Sequence, residues 1–269
     1  SFYLILFTVG KGQHPFPGDS KAGIMIYSEN PFYWSFNEKP VLLIGGSAED
    51  NVFQIQDMKN HLDLLVSAGG NYLRCTISSR DSGNEKPYTK TDGLYDLNQP
   101  NPKFWQRFEN FLEFTREKNI IIQVELWATY DFYQFPASWA ENVFNPKNNL
   151  NYTSEESQLP EEIKHTAQFK VNPFFETVPG INNNEFMLKY QKQFIDKILS
   201  YSLNYQHVLY CIDNETNARP EWGAFWAKYT RAKAKEKDKT IYITEMWDNW
   251  DPTDGHVEGV RQQEKATHP

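Results

Sequence analysis

The sequence predicts an α/β fold of the (β/α)8 barrel type, with about five βα units present. Five short apolar runs are spaced along the chain, and helix-periodic segments lie between most of them. Strands and helices that alternate in this way form parallel strands joined by helical crossovers. A GxGxxG motif, which would favour an open doubly wound sheet, does not follow the first run. Together these observations predict a barrel.

The first predicted strand, VLLIGG at 41 to 46, follows a segment that is typical of a hairpin turning at 37 to 40. We expect this hairpin to plug the bottom of the barrel. The other predicted strands are apolar runs bounded by polar or glycine-containing segments. They are NYLRCTI at 71 to 77, IIIQVELW at 120 to 127, HVLYCID at 207 to 213 and TIYITEMW at 240 to 247.

Four segments carry apolar residues at three- and four-residue spacing, which is typical of amphipathic helices. They cover residues 53 to 66, 104 to 115, 186 to 198 and 222 to 229. Asn101 before Pro102 predicts a helix start with an N-cap and a proline in the first turn, and Pro220 marks another start. Gly69 and Gly70 predict the end of the first helix.

The connection at 128 to 183 is rich in Asn, Pro and aromatic residues and is longer than most connections. We expect it to lie at the mouth of the barrel. A complete barrel has eight βα units, so the sequence lacks several of them. The chain also begins without Met. We therefore expect a fragment, with an N-terminal arm or signal-peptide remnant at 1 to 30 and a partial barrel domain at 31 to 269.

The composition disfavours several classes of partner. The formal net charge of −8 disfavours a nucleic acid partner, because phosphate binding needs a basic surface. Cys75 and Cys211 are expected to be buried free thiols on opposite faces of their strands. The histidines form no HxH or HExxH pair, so we expect no metal and no cofactor. No segment approaches the ~18 apolar residues that cross a bilayer, and we expect a soluble protein without a membrane span.

Functional side chains in a barrel of parallel strands come from the carboxyl ends of the strands and from the loops that follow them. The first of these loops carries Asp50 and Asn51, and the second strand carries Arg74. Side chains alternate along a strand, so Glu125 on the third strand is expected to point into the barrel, with Trp127 at its lip.

The fourth strand ends in Asp213-Asn214-Glu215, and alternation puts Asp213 and Glu215 on the same face. On the fifth strand, Glu245 shares its face with Ile243, which directs it toward the helices unless the end of the strand twists. Two further candidates follow it, namely Trp247 and Asp248.

Asn214-Glu215 after the fourth strand, Arg74 in GGNYLRCTIS and the Trp-bearing third strand resemble the clan A glycoside hydrolases, a (β/α)8 group that contains cellulases and mannanases. The resemblance extends over residues 41 to 250. It implies a secreted or periplasmic catalytic domain that cleaves a β-linked polysaccharide or oligosaccharide with two carboxyl groups. Glu215 would be the general acid/base, and Asn214 would bind the sugar 2-hydroxyl. Substrate contacts are expected from Asp50, Asn51, Arg74, Glu125, Trp127, Glu245, Trp247 and Asp248.

Members of that group carry the nucleophile at the end of the seventh strand, which is missing from this sequence. Two interpretations follow from this departure. Either the nucleophile lies outside the sequence, or Glu245 replaces it. The strand face predicted for Glu245 favours the first interpretation.

Other interpretations remain open at this point. The alternative function is a noncatalytic carbohydrate-binding barrel in which tryptophans stack on sugar, namely Trp127, Trp247 and Trp250. Glu215 could instead cap the following helix, because acidic residues are favoured at a helix start. Arg74 could pair with Glu125 or Glu245. Trp222 and Trp226, four residues apart on a helix, are expected in the core.

Overall fold

The computed structural model describes residues 5 to 6, 23 to 133, 135 to 163 and 172 to 247. The strands are β1 (Ile5–Leu6), β2 (Ile24–Ile26), β3 (Trp34–Phe36), β4 (Lys39–Val41), β5 (Tyr72–Thr76), β6 (Tyr88–Thr91), β7 (Leu94–Pro100), β8 (Ile121–Trp127), β9 (Val208–Asp213) and β10 (Ile243–Glu245). The α-helices are α1 (Met58–Ser67), α2 (Pro102–Glu117), α3 (Tyr130–Tyr133), α4 (Phe135–Glu141), α5 (Ser154–Ser157), α6 (Glu185–Ser202) and α7 (Pro220–Lys235). Short 3₁₀ turns lie at Val52–Gln54, Pro146–Asn148 and Pro173–Glu176.

The central sheet has the strand order β1-β10-β9-β8-β5. Strands β5, β8, β9 and β10 are parallel to one another, and β1 pairs antiparallel with β10. Helix α2 connects β5 to β8, α6 precedes β9, and α7 connects β9 to β10. The predicted alternation of parallel strands and helices is therefore confirmed.

The strand predicted at 41 to 46 is wrong beyond its first residue, where β4 ends. The rest of the segment runs beside the start of β5 and does not form a regular strand. The carbonyl of Ile44 accepts hydrogen bonds from the backbone N–H groups of Asn71 and Tyr72, at 2.7 and 3.2 Å. Gly45 permits this approach, because a Cβ there would lie 1.6 Å from the carbonyl oxygen of Tyr72.

The hairpin predicted before that segment is confirmed, and it gains a third strand. Strand β3 pairs antiparallel with both β2 and β4. Asn37 and Glu38 form the turn with φ values of 50° and 66°. Trp34 packs in a small cluster with Ile121 and Leu209, at the beginnings of β8 and β9. The three-stranded sheet thus covers the amino-terminal end of the inner face of the central sheet.

The main core lies between the central sheet and its helices. On β8 it receives Ile122, Val124 and Leu126, which alternate with the inward side chains. Helix α7 contributes Trp222 and Trp226, both 0% exposed, as their spacing predicts. Burial of a ring of this size contributes about 3 kcal/mol. The aromatic content of the chain is therefore used largely in packing.

The described residues bear on three general expectations. Within the predicted arm at 1 to 30, β1 pairs with β10 and β2 belongs to the three-stranded sheet. Cys75 and Cys211 are buried free thiols, as expected. Within the described ranges, every helix is too short or too polar to cross a membrane.

Two segments add structure that periodicity does not predict. Strands β6 and β7 form a hairpin between β5 and α2. The long connection after β8 is organised by asparagine side chains that bind backbone carbonyls. Asn145 Nδ2 donates to the carbonyls of Trp139 and Glu161, both at 2.9 Å, and Asn172 Nδ2 donates to that of Phe132 at 2.7 Å. These amides tie separate parts of the connection together through their backbone carbonyls.

Asn101 provides a test of the predicted start of α2. Its Oδ1 accepts from the backbone N–H of Lys103 at 3.0 Å, and its Nδ2 donates to the carbonyl of Lys86 at 2.9 Å. We expect Asn101→Ala to lower the free energy of unfolding by about 2 kcal/mol, because the N-cap and the link to the preceding loop are both lost. Urea denaturation measures the effect. The control is Gln106→Ala on the exposed face of the same helix, and an equal loss in both variants would contradict the capping role.

Candidate active site

Strand β8 delivers polar side chains to the inner face of the central sheet. Gln123 and Glu125 are 1% and 0% exposed, and they lie in register with Arg74 and Thr76 of β5. On its other side, Glu125 lies in register with Cys211 of β9. Glu125 therefore occupies the middle of the inner face, in the direction that strand alternation predicts.

The Glu125 carboxylate accepts three hydrogen bonds. Arg74 Nε donates to Oε1 at 2.7 Å. Thr76 Oγ1 and Asn214 Nδ2 donate to Oε2, the latter at 2.8 Å. The ion pair of Arg74 with Glu125, one of the structural alternatives for this arginine, is thus present. The Arg74 side chain is still 32% exposed, so its guanidinium also faces the opening of the site.

Burial and charge oppose each other within this pair. Burial raises the pKa of Glu125, and the charge of Arg74 offsets part of the rise, together with the hydrogen bonds from Thr76 and Asn214. Burial by itself would lower the pKa of Arg74, but the charge and hydrogen bond of Glu125 together with the neighbouring Tyr72 and Cys211 outweigh this, and the net pKa is raised. Removing one partner of an ion pair strongly destabilises the protein when the carboxylate is fully buried.

Asn214 and Glu215 form a turn directly after β9. The N–H of Asn214 donates to the carbonyl of Trp127 at 3.1 Å, and the N–H of Thr216 donates to that of Met246 at 2.8 Å. Glu215 has a φ of +50°, which is uncommon for a residue other than glycine. Asn214 is 8% exposed, whereas Glu215 is exposed. The backbone of the turn is therefore held from two sides while the Glu215 side chain faces solvent.

Glu215 does not cap the following helix. Helix α7 begins at Pro220 with Arg219 at the N-cap, and Glu221 is the acidic residue of its first turn. The effect of a helix dipole on charge falls off within that turn. The capping interpretation of Glu215 is therefore wrong.

Asp213 and Glu245 lie on the helix side of the sheet, at 0% and 4% exposure. Trp222 Nε1 of α7 donates to Asp213 Oδ1 at 3.2 Å. The Glu245 carboxyl lies against Gly223 of the same helix. Burial raises the pKa of Asp213 to about 7 and also raises that of Glu245, to which Asp213 is hydrogen-bonded.

This position corrects two expectations. Asp213 does not share a face with Glu215, because the end of β9 turns toward α7. Glu245 does point toward the helices, as strand alternation predicts, so its inclusion among the substrate contacts is wrong. For the same reason, Glu245 does not reach the opening and cannot replace the nucleophile.

Trp127 lies inside the aromatic core. It is 1% exposed, and its ring centre is 5.3 Å from that of Trp226, 5.4 Å from that of Phe174 and 5.7 Å from that of Trp222. The expected position at the lip is wrong, because Trp127 turns toward α7 with Asp213, its partner in register on β9. An indole buried to this degree does not stack on a sugar.

A second polar cluster surrounds Arg80 in the loop after β5. The guanidinium forms ion pairs with Asp50 and, at 3.3 Å, with Asp131. It also lies 4.8 Å from the ring centre of Tyr130. Asp50 is 55% exposed and stays at the surface of this cluster. Asn51, predicted beside it as a substrate contact, is only 2% exposed, so that expectation is wrong.

The remaining candidates lie at the end of β10. Trp247 is partly buried and forms a parallel β-bridge with Thr216, which directly follows Glu215. The structure thus brings Trp247 next to the Glu215 turn. Asp248 and Trp250 lie outside the described residues.

The sequence did not indicate Asp131, which is a central member of the Arg80 cluster. Burial raises the pKa of Asp131, and Arg80 offsets part of that rise. A cleft of about 80 Å³ lies beside the cluster, lined by Arg80, Lys86 and Asp131 above the ring of Phe144. Asp131 belongs to the connection after β8, where no periodic pattern predicts the direction of a side chain. Its position between two aromatic residues was the available sequence signal for a functional role.

Comparison with solved structures identifies the fold. The glycoside hydrolase family 5 mannosidase from Rhizomucor miehei aligns with a TM-score of 0.52 and 16% identity, over 81% of this chain and 55% of that one. The chain has a barrel-type α/β fold. A variant of the same mannosidase aligns with a TM-score of 0.50 and 16% identity, over 80% of this chain and 54% of that one.

The barrel is partial, since the chain spans about half the length of the solved structures it matches. No protein-family model matches the sequence. No curated protein matches it either.

In this partial barrel, the carboxyl ends of β5, β8 and β9 bring Arg74, Glu125, Asn214 and Glu215 to one region. Trp247 joins them from the end of β10. Across the described ranges, no group of three or more His, Cys, Asp or Glu side chains is arranged to hold a metal ion. The chemistry available here is that of a carboxyl group supported by an amide and a guanidinium.

Proposed function

We propose that this chain carries the acid/base half of a glycoside hydrolase site that cleaves a β-linked polysaccharide or oligosaccharide. The observation that supports it is the position of Glu215, which is exposed on a constrained turn at the carboxyl end of a barrel strand. Barrel enzymes place their catalytic residues at this end of the strands. A secreted or periplasmic location belongs to the same proposal, since such substrates occur outside the cytoplasm.

Glu215 would protonate the glycosidic oxygen as the bond to the leaving group breaks, and would later deprotonate the attacking water. Asn214 precedes it, and its amide is oriented by the hydrogen bond to Glu125. Arg74, which is partly exposed and held by the same carboxylate, supplies a cationic donor for sugar hydroxyls. Glu125 acts by orienting these two side chains and does not reach the substrate, because it is fully buried.

A two-carboxyl mechanism needs a second group, about 5 Å away for retention of configuration and roughly 6.5 to 9.5 Å away for inversion. Asp213 and Glu245 are buried behind the sheet, so the proposal assigns neither of them this role. It assigns the acid/base alone. The burial of Trp127 also removes one of the three stacking platforms on which a noncatalytic sugar-binding barrel was based.

The test compares hydrolysis by the unchanged sequence and by Glu215→Gln, in this chain and in any longer protein that contains it. Because the similar structure is a mannosidase, β-linked mannosides are tested first, followed by β-glucans and algal polysaccharides. We expect Glu215→Gln to lower kcat/KM roughly a thousandfold, as loss of a general acid/base does. Glu236→Gln, an exposed carboxyl at the end of α7, is the matched control and should retain full activity. Equal hydrolysis by Glu215→Gln and the unchanged protein would remove Glu215 from the mechanism.

A further inference from the structure

Two buried carboxyl groups face each other between β9, β10 and α7. Asp213 Oδ1 accepts a hydrogen bond from Trp222 Nε1 at 3.2 Å. Within the described residues, the other oxygen, Asp213 Oδ2, and Glu245 Oε1 are buried without a well-formed hydrogen bond. The hydroxyl of Thr216 is the further polar group beside Asp213, and it carries no charge. Two ionised carboxylates do not share such a site, because like charges in contact repel strongly. A proton held between the two groups satisfies both oxygens.

Helix α7 leaves space for the Glu245 carboxyl at Gly223. A Cβ at Gly223 would lie 2.2 Å from both carboxyl oxygens of Glu245 and 2.5 Å from its Cδ. Any residue other than glycine at this position would displace the Glu245 side chain. The contact between the carboxyl and the backbone of α7 is therefore built into the packing of the helix on the sheet.

Both carboxyls lie at the base of the Glu215 turn. Asp213 directly precedes Asn214 and Glu215. Glu245 directly precedes Met246, whose carbonyl accepts the N–H of Thr216 at 2.8 Å. The segments after β9 and β10 meet at the turn, and each of them directly follows one member of the pair.

We propose that Asp213 and Glu245 share a proton and act together as positioning residues that hold the Asn214–Glu215 turn in place. Gly223 provides the space for the pair. The catalytic role of the turn rests on the proposed function, whereas the proposal that the pair holds the turn in place does not. Loss of the shared proton leaves two charges in contact, which drives β9 and β10 apart at their ends and loosens the turn.

The surroundings of the pair offer no compensating charge. Helix α7 presents Trp222 and Gly223 to it, and Trp222 donates a neutral N–H. Strand β9 adds the buried thiol of Cys211, whose pKa is raised by burial and by neighbouring carboxylates. Glu125 on β8 lies beyond this thiol and is already paired with Arg74. In the described part of the chain, no ion pair joins Asp213 or Glu245 to a cation.

Burial raises the pKa of both members, so the native protein retains protons that the unfolded chain has lost. The pair therefore keeps a proton at a pH where exposed carboxyls are ionised, and loses that proton as the pH rises further. We therefore expect the turn to be well ordered near neutral pH and to loosen at alkaline pH.

Hydrogen–deuterium exchange of the amides at 214 to 216 tests this proposal without reference to activity. In the unchanged protein, protection at about pH 9 should be roughly tenfold lower than at about pH 6, after correction for intrinsic exchange rates. In Glu245→Gln, an amide N–H donates to Asp213 in place of the shared proton and does not titrate, so the ratio should stay near one. Glu236→Gln is the control and should behave like the unchanged protein. A pH-independent turn in the unchanged protein, or an equal loss of protection in Glu245→Gln, would overturn the proposal.

A second measurement uses the unchanged protein alone and covers the case in which Glu245→Gln does not fold. Carbon-13 NMR of protein labelled at its aspartate and glutamate carboxyls follows each group through a pH titration. One buried carboxyl resonance, of an aspartate or a glutamate, that remains protonated at about pH 6, above the ordinary values, is expected. If every aspartate and glutamate resonance has titrated by that pH, the shared proton does not exist and the proposal fails. Neither measurement depends on whether Glu215 cleaves a sugar.

Discussion

Replacing Gly223 by alanine is expected to lower the free energy of unfolding by about 2 to 4 kcal/mol. Alanine normally stabilises a helix interior by about 1 kcal/mol relative to glycine. Here the added Cβ would lie 2.2 Å from both Glu245 carboxyl oxygens. The side chain has to move, which adds the cost of overpacking and leaves Asp213 without its buried partner. The unfavourable terms therefore exceed the gain in helix propensity.

A double-mutant cycle isolates the contact that causes this loss. Gly223→Ala is measured by urea denaturation in the unchanged protein and in a Glu245→Ala background. Once the Glu245 carboxyl is absent, the new methyl group has room, and we expect the substitution to be neutral or mildly stabilising. A similar destabilisation in both backgrounds would show that the clash with Glu245 is not the reason for the glycine.

Glu125→Gln is expected to destabilise the protein by about 3 kcal/mol and to lower any hydrolysis that depends on Glu215. Gln keeps the size of the side chain but removes the charge that pairs with Arg74. Its NH2 group cannot accept the hydrogen bonds that Thr76 and Asn214 donate to Glu125. Breaking a buried ion pair costs about 3 to 5 kcal/mol. The lower end applies, because Arg74 is 32% exposed and water solvates part of its charge.

The matched control for this substitution is Glu117→Gln, which changes an exposed carboxyl at the end of α2. Its effect should stay within about 0.5 kcal/mol. Stability is measured by urea denaturation at constant pH, and hydrolysis is measured on the same preparations. If Glu125→Gln unfolds at the same urea concentration as the control, the Glu125 network does not hold β5, β8 and the Asn214 turn together.

Much of the candidate site could be predicted from strand alternation. The rule that successive side chains point to opposite faces places Glu125 inward and Glu245 toward the helices, and both positions agree with the structure. The rule that barrel sites lie at the carboxyl ends of strands directs attention to Arg74, Asn214 and Glu215. These predictions need only the local repeat of an extended chain.

Alternation failed where the strands end. Trp127 and Asp213 lie in register on β8 and β9, and both turn toward α7. The aromatic rings around Trp127 and the N–H of Trp222 make that direction favourable. These contacts depend on how α7 packs against the sheet, so the side-chain alternation of the strands could not reveal the change.

By itself, the sequence determined the central parallel strands from β5 to β10 and the long helices between them, because periodicity, caps and proline positions act within a few residues. It also determined the parallel, helix-connected topology and the order in which polar residues follow the strands. Only the tertiary structure decided which of those residues share a space. Gly223 admits the Glu245 carboxyl, Gly45 admits the backbone of Tyr72, and Glu125 binds groups from two neighbouring segments. Burial and hydrogen bonding between distant parts of the chain set these contacts, and they depend on how the helices pack onto the sheet.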